Sequence, residues 1–330
     1  MPEKIVVLGA GSWGTALALS LARNGQQVSL WSHRAEQVMQ MQALLGNPDY
    51  LPGVVFPQQL QAVGDLESVV ADADQLLIAV PSHAFDQICQ QLQGVISADL
   101  GIAWATKGFA IGGHRLIQQV ATEILGERPM AMISGPSFAK EVALELPTAL
   151  TVAANQAEFG QLWAALLHGN NMRAYTSNDL VGVQVCGAVK NVLAIAAGVA
   201  DGLGFGANAR AALVTRGLVE MQRLGLSLGA ELETFSGLAG LGDLLLTCTD
   251  NQSRNRRAGL ALAKGLSREQ AQAEIGQVVE GIRSVVEVRA MAAREQVEMP
   301  ITEQVFQIVH QGADPMAAVQ SLLARESKAE

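Results

Sequence analysis

One lysine stands inside a long apolar stretch of the chain. Lys190 lies in the run VQVCGAVKNVLAI, and the residues three and four positions away from it are Cys186, Gly187, Leu193 and Ala194. On a helix these neighbours share its face, so we expect the ammonium on a buried surface. Burial lowers the pKa of a lysine toward neutrality, which suits a group that donates a proton to a carbonyl and takes it back. The alternative is a lysine whose head reaches solvent at the domain edge.

An acidic residue closes a glycine-rich segment farther along the chain. Asp243 ends the string SGLAGLGD and precedes the apolar residues 244–246. A carboxylate at this place can pair with a cationic catalytic group, hold it in position and set its pKa. The bland alternative is that Asp243 caps the helix that begins here.

A basic cluster follows in a chain whose overall charge is negative. Ser253 is a candidate N-cap, and Arg254 and Asn255 come directly after it. A helix N-terminus flanked by these side chains predicts a compact anion site, suited to a substrate phosphate. A solvated basic turn is the alternative, and it fits Arg256 and Arg257 better than Arg254.

A glycine loop opens the chain. Gly9, Gly11 and Gly14 form the pattern GxGxxG between an apolar run at 5–8 and a helical pattern at 15–23. The first glycine makes the tight turn, the second lets backbone amides approach a pyrophosphate, and the third permits close packing of helix on strand. This arrangement predicts a dinucleotide site in which the helix N-terminus holds the phosphates.

The end of the second predicted strand lacks the acid that binds a ribose 2′-hydroxyl in many such sites. The sequence there reads Trp31, Ser32, His33 and Arg34, and the first acid is Glu36. Ser32, His33 and Arg34 could accept a 2′-phosphate, so we predict that NADP(H) is at least tolerated beside NAD(H). The alternative is a solvated turn at His33 and Arg34 with Glu36 reaching the ribose.

Other polar residues follow predicted strands, where open α/β sheets bind ligands. Lys107 comes after the strand at 102–106, and its ammonium could neutralise a phosphate or polarise a carbonyl. A plain surface lysine is the alternative. The string SGPSFAK follows the strand at 130–134, whereas His83 after 75–80 is expected to be structural.

The elements that must position these residues alternate along the first half of the chain. β-rich runs at 5–8, 28–31, 75–80, 102–106, 130–134, 149–153 and 173–176 are separated by helical stretches, and helical patterns alone follow. The pattern predicts a Rossmann-type, doubly wound, mainly parallel α/β sheet followed by an all-α C-terminal domain. We expect a nucleotide-binding domain over 1–178 and a helical substrate-binding and catalytic domain over 179–330.

Composition narrows the class of protein. The formal net charge of -9 argues against nucleic-acid or anionic-membrane binding. Three cysteines without CxxC spacing suggest neither a disulfide framework nor a zinc site, so no metal is expected and a reducing cytoplasm fits. From the sequence we expect that no apolar run approaches the roughly 20 residues that span a bilayer, and so no anchor. The oligomeric state stays open, a homodimer included.

The motifs together resemble the bacterial NAD(P)-dependent sn-glycerol-3-phosphate dehydrogenase family, nearly from end to end. The strings that carry the resemblance are GAGSWGTALA from Gly9, WATKG from Trp104, SGPSFAKE from Ser134, GAVKN from Gly187, DGLGFGANAR from Asp201, GLGD from Gly240, TCTDNQSRNRR from Thr247 and GQVVEG from Gly276. The family commonly has Thr where this chain has Ser137, and both carry a hydroxyl. The resemblance implies reversible reduction of dihydroxyacetone phosphate to sn-glycerol 3-phosphate for phospholipid synthesis.

The resemblance also implies a role for individual residues. Lys190 is the implied proton acceptor in alcohol oxidation, in agreement with its apolar setting. The implied cofactor contacts are Ser12, Trp13, His33, Arg34, Lys107, Ala139, Arg254, Val278 and Glu280. The implied substrate contacts are Lys107, Gly135, Ser137, Lys190, Asp243, Ser253, Arg254 and Asn255.

Two other functions are weighed against this one. A dehydrogenase of the 3-hydroxyacid or phosphogluconate type would share the fold, and the anion site at 253–255 discriminates against it. A nicotinamide-sensing regulator would bind cofactor without turnover, and Lys190 argues against it because a sensor needs no proton donor.

Overall fold

The computed structural model describes residues 2–112, 115–169 and 171–324. These divide into two compact units, the first within Met1–Ala110 and Leu116–Leu180, the second within Ile111–Arg115 and Val181–Glu330. The first unit contains the strands, and the described part of the second is helical.

The first unit is built on one eight-stranded sheet in the order β3-β2-β1-β4-β5-β6-β7-β8. All neighbouring pairs are parallel except β6 with β7. The strands are β1 Lys4–Leu8, β2 Gln27–Trp31, β3 Leu60–Val63, β4 Gln75–Ile78, β5 Ile102–Trp104, β6 Met130–Ser134, β7 Thr148–Ala154 and β8 Met172–Ser177. Strand order reverses beside β1, and this is where such sheets bind nucleotides.

In the described part of the first unit, seven α-helices connect these strands. They are α1 Ser12–Arg23, α2 Ala35–Leu44, α3 Leu66–Ala71, α4 Phe85–Leu92, α5 Ile117–Leu125, α6 Ala139–Ala143 and α7 Ala157–Leu167. The central strands β4 and β5 carry almost continuous buried apolar side chains, as strands covered by helices on both faces do. The fold class predicted from the sequence is confirmed.

One strand, β3, was not predicted from the sequence. β3 is a four-residue edge strand, LQAV, which has too few residues for a clear apolar period. Two predicted strands are also shorter than expected, since β4 ends at Ile78 and β5 at Trp104. Beyond these ends the ladder continues for one bond each, from the Ala79 and Ala105 backbone N–H groups, before the chain turns away.

Nine α-helices follow within residues 180–324. They are α8 Leu180–Gly202, α9 Ala207–Ser227, α10 Leu232–Ser236, α11 Asp243–Thr249, α12 Arg254–Ala263, α13 Arg268–Ile275, α14 Glu280–Arg294, α15 Pro300–Gln311 and α16 Pro315–Leu323. A π-helical turn over Leu238–Gly242 leads into α11. The prediction that helical patterns alone follow the strands is confirmed over these residues.

The helix α8 corrects one expectation. Its 23 residues, with a mean hydropathy of 1.7 over an 18-residue window, are long and apolar enough to cross a membrane. The expectation that no apolar run approaches that length was therefore wrong. However, 94% of this window is buried inside the protein, as in the core helix of a globular domain. The helix carries Lys190 through that core.

Candidate active site

The glycine loop is shaped by contacts that admit no side chain. Gly9 has φ +116°, and a Cβ built on it would lie 2.8 Å from the carbonyl oxygen of Ala79. A Cβ on Gly14 would lie 1.9 Å from the carbonyl oxygen of Gly9, so α1 could not pack where it does. A Cβ on Gly11, in contrast, would meet nothing within 4 Å. The three glycines therefore have the two structural roles and the one open face that the motif predicts.

The N-terminus of α1 is suited to an anion. Gly11 is its N-cap, no side chain caps the first turn, and no acid lies in that turn. The first N–H groups of a helix need an external acceptor, and a pyrophosphate supplies one. Ser12 and Trp13 open this turn, and the buried Trp13 Nε1 has no hydrogen-bond partner among the described residues. The loop fits the phosphates of a dinucleotide.

The end of β2 has no acid at its tip. His33, Arg34 and Glu36 are exposed, whereas Ser32 is 3% exposed. An acid that the sequence did not single out, Asp49, lies 4.0 Å from Arg34 Nη2. Arg34 is thus the exposed cation at the place where a 2′-phosphate would be read.

The tips of β5 and β6 meet at one carbonyl group. Lys107 Nζ donates to the Gly135 carbonyl oxygen at 3.3 Å, and Ser137 Oγ donates to the same oxygen at 3.0 Å. Thr106 Oγ1 donates to the Val80 carbonyl oxygen at 2.7 Å and joins the tips of β4 and β5. The structure therefore brings together Lys107, Gly135 and Ser137, and Ala139 follows as the first residue of α6.

The second unit holds a buried ion pair. Lys190 Nζ lies 2.5 Å from Asp243 Oδ1, and the two side chains are 7% and 2% exposed. The same Nζ donates to Thr247 Oγ1 at 3.2 Å, and Thr247 Oγ1 donates to the Asp243 carbonyl oxygen at 2.6 Å. Two hydrogen bonds and an opposite charge fix the ammonium in one place. The prediction that Lys190 is buried is confirmed by the structure, and the snorkelling alternative is wrong.

Asp243 reaches Lys190 from the first turn of α11. The N-cap of α11 is Gly242 and not Asp243, so the capping alternative is wrong. The π-helical turn before it is common next to functional residues, since the extra residue re-aims a side chain. Thr247, which sequence reasoning missed, lies four residues after Asp243 on the same helix face. That spacing was the available signal.

The predicted anion site lies at the N-terminus of α12. Ser253 is the N-cap, and its Oγ accepts the backbone N–H of Arg256 at 3.2 Å. Arg254 Nη1 donates to Gln277 Oε1 at 3.3 Å. Asn255 Nδ2 donates to Asn191 Oδ1 at 2.8 Å, so the residue after Lys190 contacts this turn directly. The helix that carries the catalytic candidate therefore contacts the anion candidate within the second unit.

The start of α14 adjoins the same turn. The Gly281 backbone N–H donates to Asn255 Oδ1 at 2.9 Å, which fixes the Asn255 amide together with Asn191. Glu280 is the first residue of α14, and Val278, two residues earlier, is 36% exposed. Both residues thus flank the α12 N-terminus, near Arg254 and its partner Gln277.

Arg256 does not lie in a solvated basic turn, as the sequence suggested. It is 7% exposed and not part of a solvated turn. Its Nε donates to the Cys248 carbonyl oxygen at 3.1 Å, Nη1 donates to Asn251, and Nη2 lies 2.5 Å from Asp201 Oδ2. This arginine ties the end of α11, the turn and the end of α8 together. An arginine three residues after an N-cap gives no signal that it points inward.

Among the described ranges, no group of three or more histidine, cysteine, aspartate or glutamate side chains could hold a metal ion. Cys89, Cys186 and Cys248 are buried, and none of them forms a disulfide. Desolvation raises the pKa of the Cys248 thiol, near Lys190, to about 12, so this thiol stays protonated at neutral pH.

A nucleotide-binding sheet, a backbone-built phosphate loop and a buried lysine with a carboxylate partner define a nicotinamide-dependent oxidoreductase. Models of the N-terminus and the C-terminus of NAD-dependent glycerol-3-phosphate dehydrogenase match residues 4–160 and 179–320. The chain belongs to the NAD-dependent glycerol-3-phosphate dehydrogenase family. It is an enzyme that uses NAD or NADP, as the resemblance implied.

Individual relatives agree. The chain is 55% identical over 326 residues to glycerol-3-phosphate dehydrogenase [NAD(P)+] of Tolumonas auensis, covering 98% of each chain. It is similar to the crystal structure of glycerol-3-phosphate dehydrogenase from Coxiella burnetii, with a TM-score of 0.96, 52% identity and coverage of 98% and 99%. A D-mandelate dehydrogenase structure at 16% identity and a TM-score of 0.64 shares the fold alone.

Proposed function

We propose that the enzyme reversibly reduces dihydroxyacetone phosphate to sn-glycerol 3-phosphate with NAD(P)H and so feeds glycerophospholipid synthesis. The observation that carries this proposal is the buried Lys190–Asp243 pair joined through Asn191 to the N-terminus of α12. A proton donor and an anion site on neighbouring side chains suit a small substrate with a carbonyl group and a phosphate.

Lys190 is the proposed proton donor. When bound, the nicotinamide cofactor supplies the hydride to the ketone carbon, or accepts it in the reverse direction. Lys190 Nζ gives a proton to the ketone oxygen as that oxygen gains charge, and takes it back in alcohol oxidation. Asp243 and Thr247 hold the ammonium in place through the bonds described above, so that it need not reorganise during the reaction.

The remaining assignments concern the substrate phosphate and the cofactor. Ser253, Arg254 and Asn255 are proposed to bind the phosphate, with backbone N–H groups of α12 and the Arg254 guanidinium as donors. Lys107, Gly135 and Ser137 are proposed to line the substrate or cofactor site of the first unit. We assign cofactor contacts to Gly9, Gly11, Gly14, Ser12, Trp13, His33, Arg34, Lys107, Ala139, Arg254, Val278 and Glu280.

Residues 1–178 would then supply most of the cofactor contacts and 179–330 most of the substrate contacts. We place the protein in the cytoplasm, because its three cysteines are buried and form no disulfide, as is usual in a reducing compartment. A homodimer stays a prediction, which sedimentation equilibrium tests.

Following NADPH absorbance after addition of dihydroxyacetone phosphate tests the proposal. We expect oxidation that depends on the phosphate, so that dihydroxyacetone itself and 3-hydroxyacid or phosphogluconate-type substrates are poor. Folded protein that binds NADPH but oxidises none would favour the sensor. Turnover of a hydroxyacid in preference to the triose phosphate would favour the rival dehydrogenase.

A further inference from the structure

A buried polar network joins the glycine loop to the end of β2. Its centre is Gln37, the third residue of α2, which is 5% exposed. Gln37 Oε1 accepts from Ser32 Oγ at 2.8 Å and from Arg34 Nε at 3.3 Å. Gln37 Nε2 donates to the Ala10 carbonyl oxygen at 2.8 Å. One amide therefore contacts both the phosphate loop and the exposed arginine of the β2 tip.

The chemistry of the partners fixes the orientation of this amide. Arg34 Nε can only donate and the Ala10 carbonyl oxygen can only accept, so the Gln37 amide fits in one of its two flips. Asn47, which is 1% exposed, donates to the same Ala10 oxygen at 2.9 Å and to Thr15 Oγ1 at 2.8 Å. The Ala10 oxygen thus has two donors, and the network is anchored on α1 independently of Arg34.

The network leaves Arg34 as the charged donor for a ligand. Ser32 Oγ donates its proton to Gln37 Oε1 and accepts the Arg34 backbone N–H at 3.2 Å. Its hydroxyl is therefore not directed at a ligand. The Arg34 side chain is 48% exposed, its Nε is held by Gln37, and its Nη2 lies 4.0 Å from the exposed Asp49 carboxylate. A guanidinium fixed at Nε loses less rotamer freedom when its outer nitrogens bind an anion.

We propose that Gln37 is a positioning residue for the adenosine 2′-phosphate of NADP(H), which it favours by holding Arg34 in place. This inference rests on the proposed contact of Arg34 with the cofactor. Gln37→Leu would remove the acceptor of Arg34 Nε and one of the two donors to the Ala10 carbonyl oxygen. Loss of the hydrogen bond to Ala10 should weaken the binding of NAD(H) and NADP(H) alike, whereas release of Arg34 should weaken the binding of NADP(H) alone. The ratio of the two affinities therefore reports the proposed role.

The test is calorimetric titration of NADP+ and NAD+ without substrate, which measures binding and no turnover. We expect Gln37→Leu to lower the preference for NADP+ over NAD+ about tenfold, the loss of one hydrogen bond to a charged group. Gln42→Leu is the matched control. Gln42 lies on the same helix and donates to the Ala62 carbonyl oxygen at 2.8 Å, away from the β2 tip, so the ratio should not change.

A double-mutant cycle separates this inference from the Arg34 assignment. In an Arg34→Ala background, Gln37→Leu should leave the affinity ratio unchanged, because its effect passes through Arg34. The inference is overturned if Gln37→Leu alone leaves the ratio unchanged, or changes it equally in both backgrounds. If Arg34→Ala itself leaves the ratio unchanged, the cofactor assignment of Arg34 fails and the inference fails with it.

A second variant covers the case in which the leucine variant does not fold. Gln37→Met keeps a side chain of similar length and volume but offers Arg34 Nε no amide oxygen to donate to. We expect the same loss of NADP+ preference, about tenfold, for this variant. An unchanged ratio in the folded variant would overturn the inference.

Discussion

The phosphate loop of the first unit and the ion-pair cluster of the second are sites of opposite construction. The loop is made of backbone: Gly9 and Gly14 leave no room for a side chain, and the groups that bind a ligand would be backbone N–H groups. The cluster is made of side chains from residues 190, 243 and 247, joined by charge inside a core. A backbone site depends on shape and a side-chain site on chemistry, so they should fail differently.

The largest expected effect is at Lys190. Lys190→Met should lower kcat by about 10³-fold, within the range lost with a general acid, while NADPH affinity measured by titration stays near that of the wild type. A variant with nearly normal turnover would refute the assigned role. Because the change strands a buried Asp243 carboxylate, Lys190→Met with Asp243→Leu is the control, which removes both charges and should restore stability without restoring turnover.

The second unit contains another buried carboxylate, Glu220, which accepts from backbone N–H groups, whereas Asp243 pairs with a charged side chain. Glu220 Oε1 accepts the Ile301 N–H at 2.6 Å, and Oε2 accepts the Thr302 N–H and hydroxyl at 3.2 Å each. Desolvation raises the pKa of Glu220 from 4.5 to about 7, against these bonds and the nearby Arg223 charge. Between these pH values the folded chain keeps a proton that the unfolded chain has lost.

The free energy of unfolding contributed by Glu220 should therefore fall as pH rises through this window, by about 3 kcal/mol in total. Glu220→Gln lacks the titration, so the stability of the wild type relative to this variant should decrease from pH 4.5 to pH 7.5. Urea unfolding at several pH values measures it. Parallel pH profiles of the two proteins would contradict the shifted pKa.

The glycines separate shape from ligand access within the loop. Gly14→Ala places a Cβ 1.9 Å from the Gly9 oxygen, so the free energy of unfolding should fall by about 1–3 kcal/mol and NADPH affinity with it. Gly11→Ala meets open space, so it should keep its melting temperature while losing NADPH affinity. Equal thermal stability of the two variants would show that the loop relaxes around Gly14.

The smallest effect concerns the Arg256–Asp201 pair that supports the α12 turn. Arg256→Lys keeps the charge but cannot make the three separate contacts, so KM for dihydroxyacetone phosphate should rise about tenfold with little change in KM for NADPH. Arg257→Lys is the control, since Arg257 is exposed. If KM for both substrates rises in parallel, Arg256 supports the whole unit and not the turn.

Features that depend on neighbours in the chain could be predicted well. The GxGxxG loop, the N-cap at Ser253 and the apolar face around Lys190 all lie within one or two turns of sequence. β3 escaped prediction because four residues give no period, and Arg256 because its inward direction depends on Asp201, 55 residues away. Gln37 escaped for the same reason, since its amide donates to the carbonyl oxygen of Ala10, 27 residues earlier in the chain.

The sequence by itself determined the sheet-forming pattern, the helical second half and the residue types of the site. These follow from apolar periodicity and from the few backbone shapes that glycine permits. Tertiary structure alone decided which charges meet: Asp243 with Lys190, and Asp201 with Arg256. Pairing across tens of residues is set by packing of helices in a core where an unpaired charge would be too costly, and no local pattern records it.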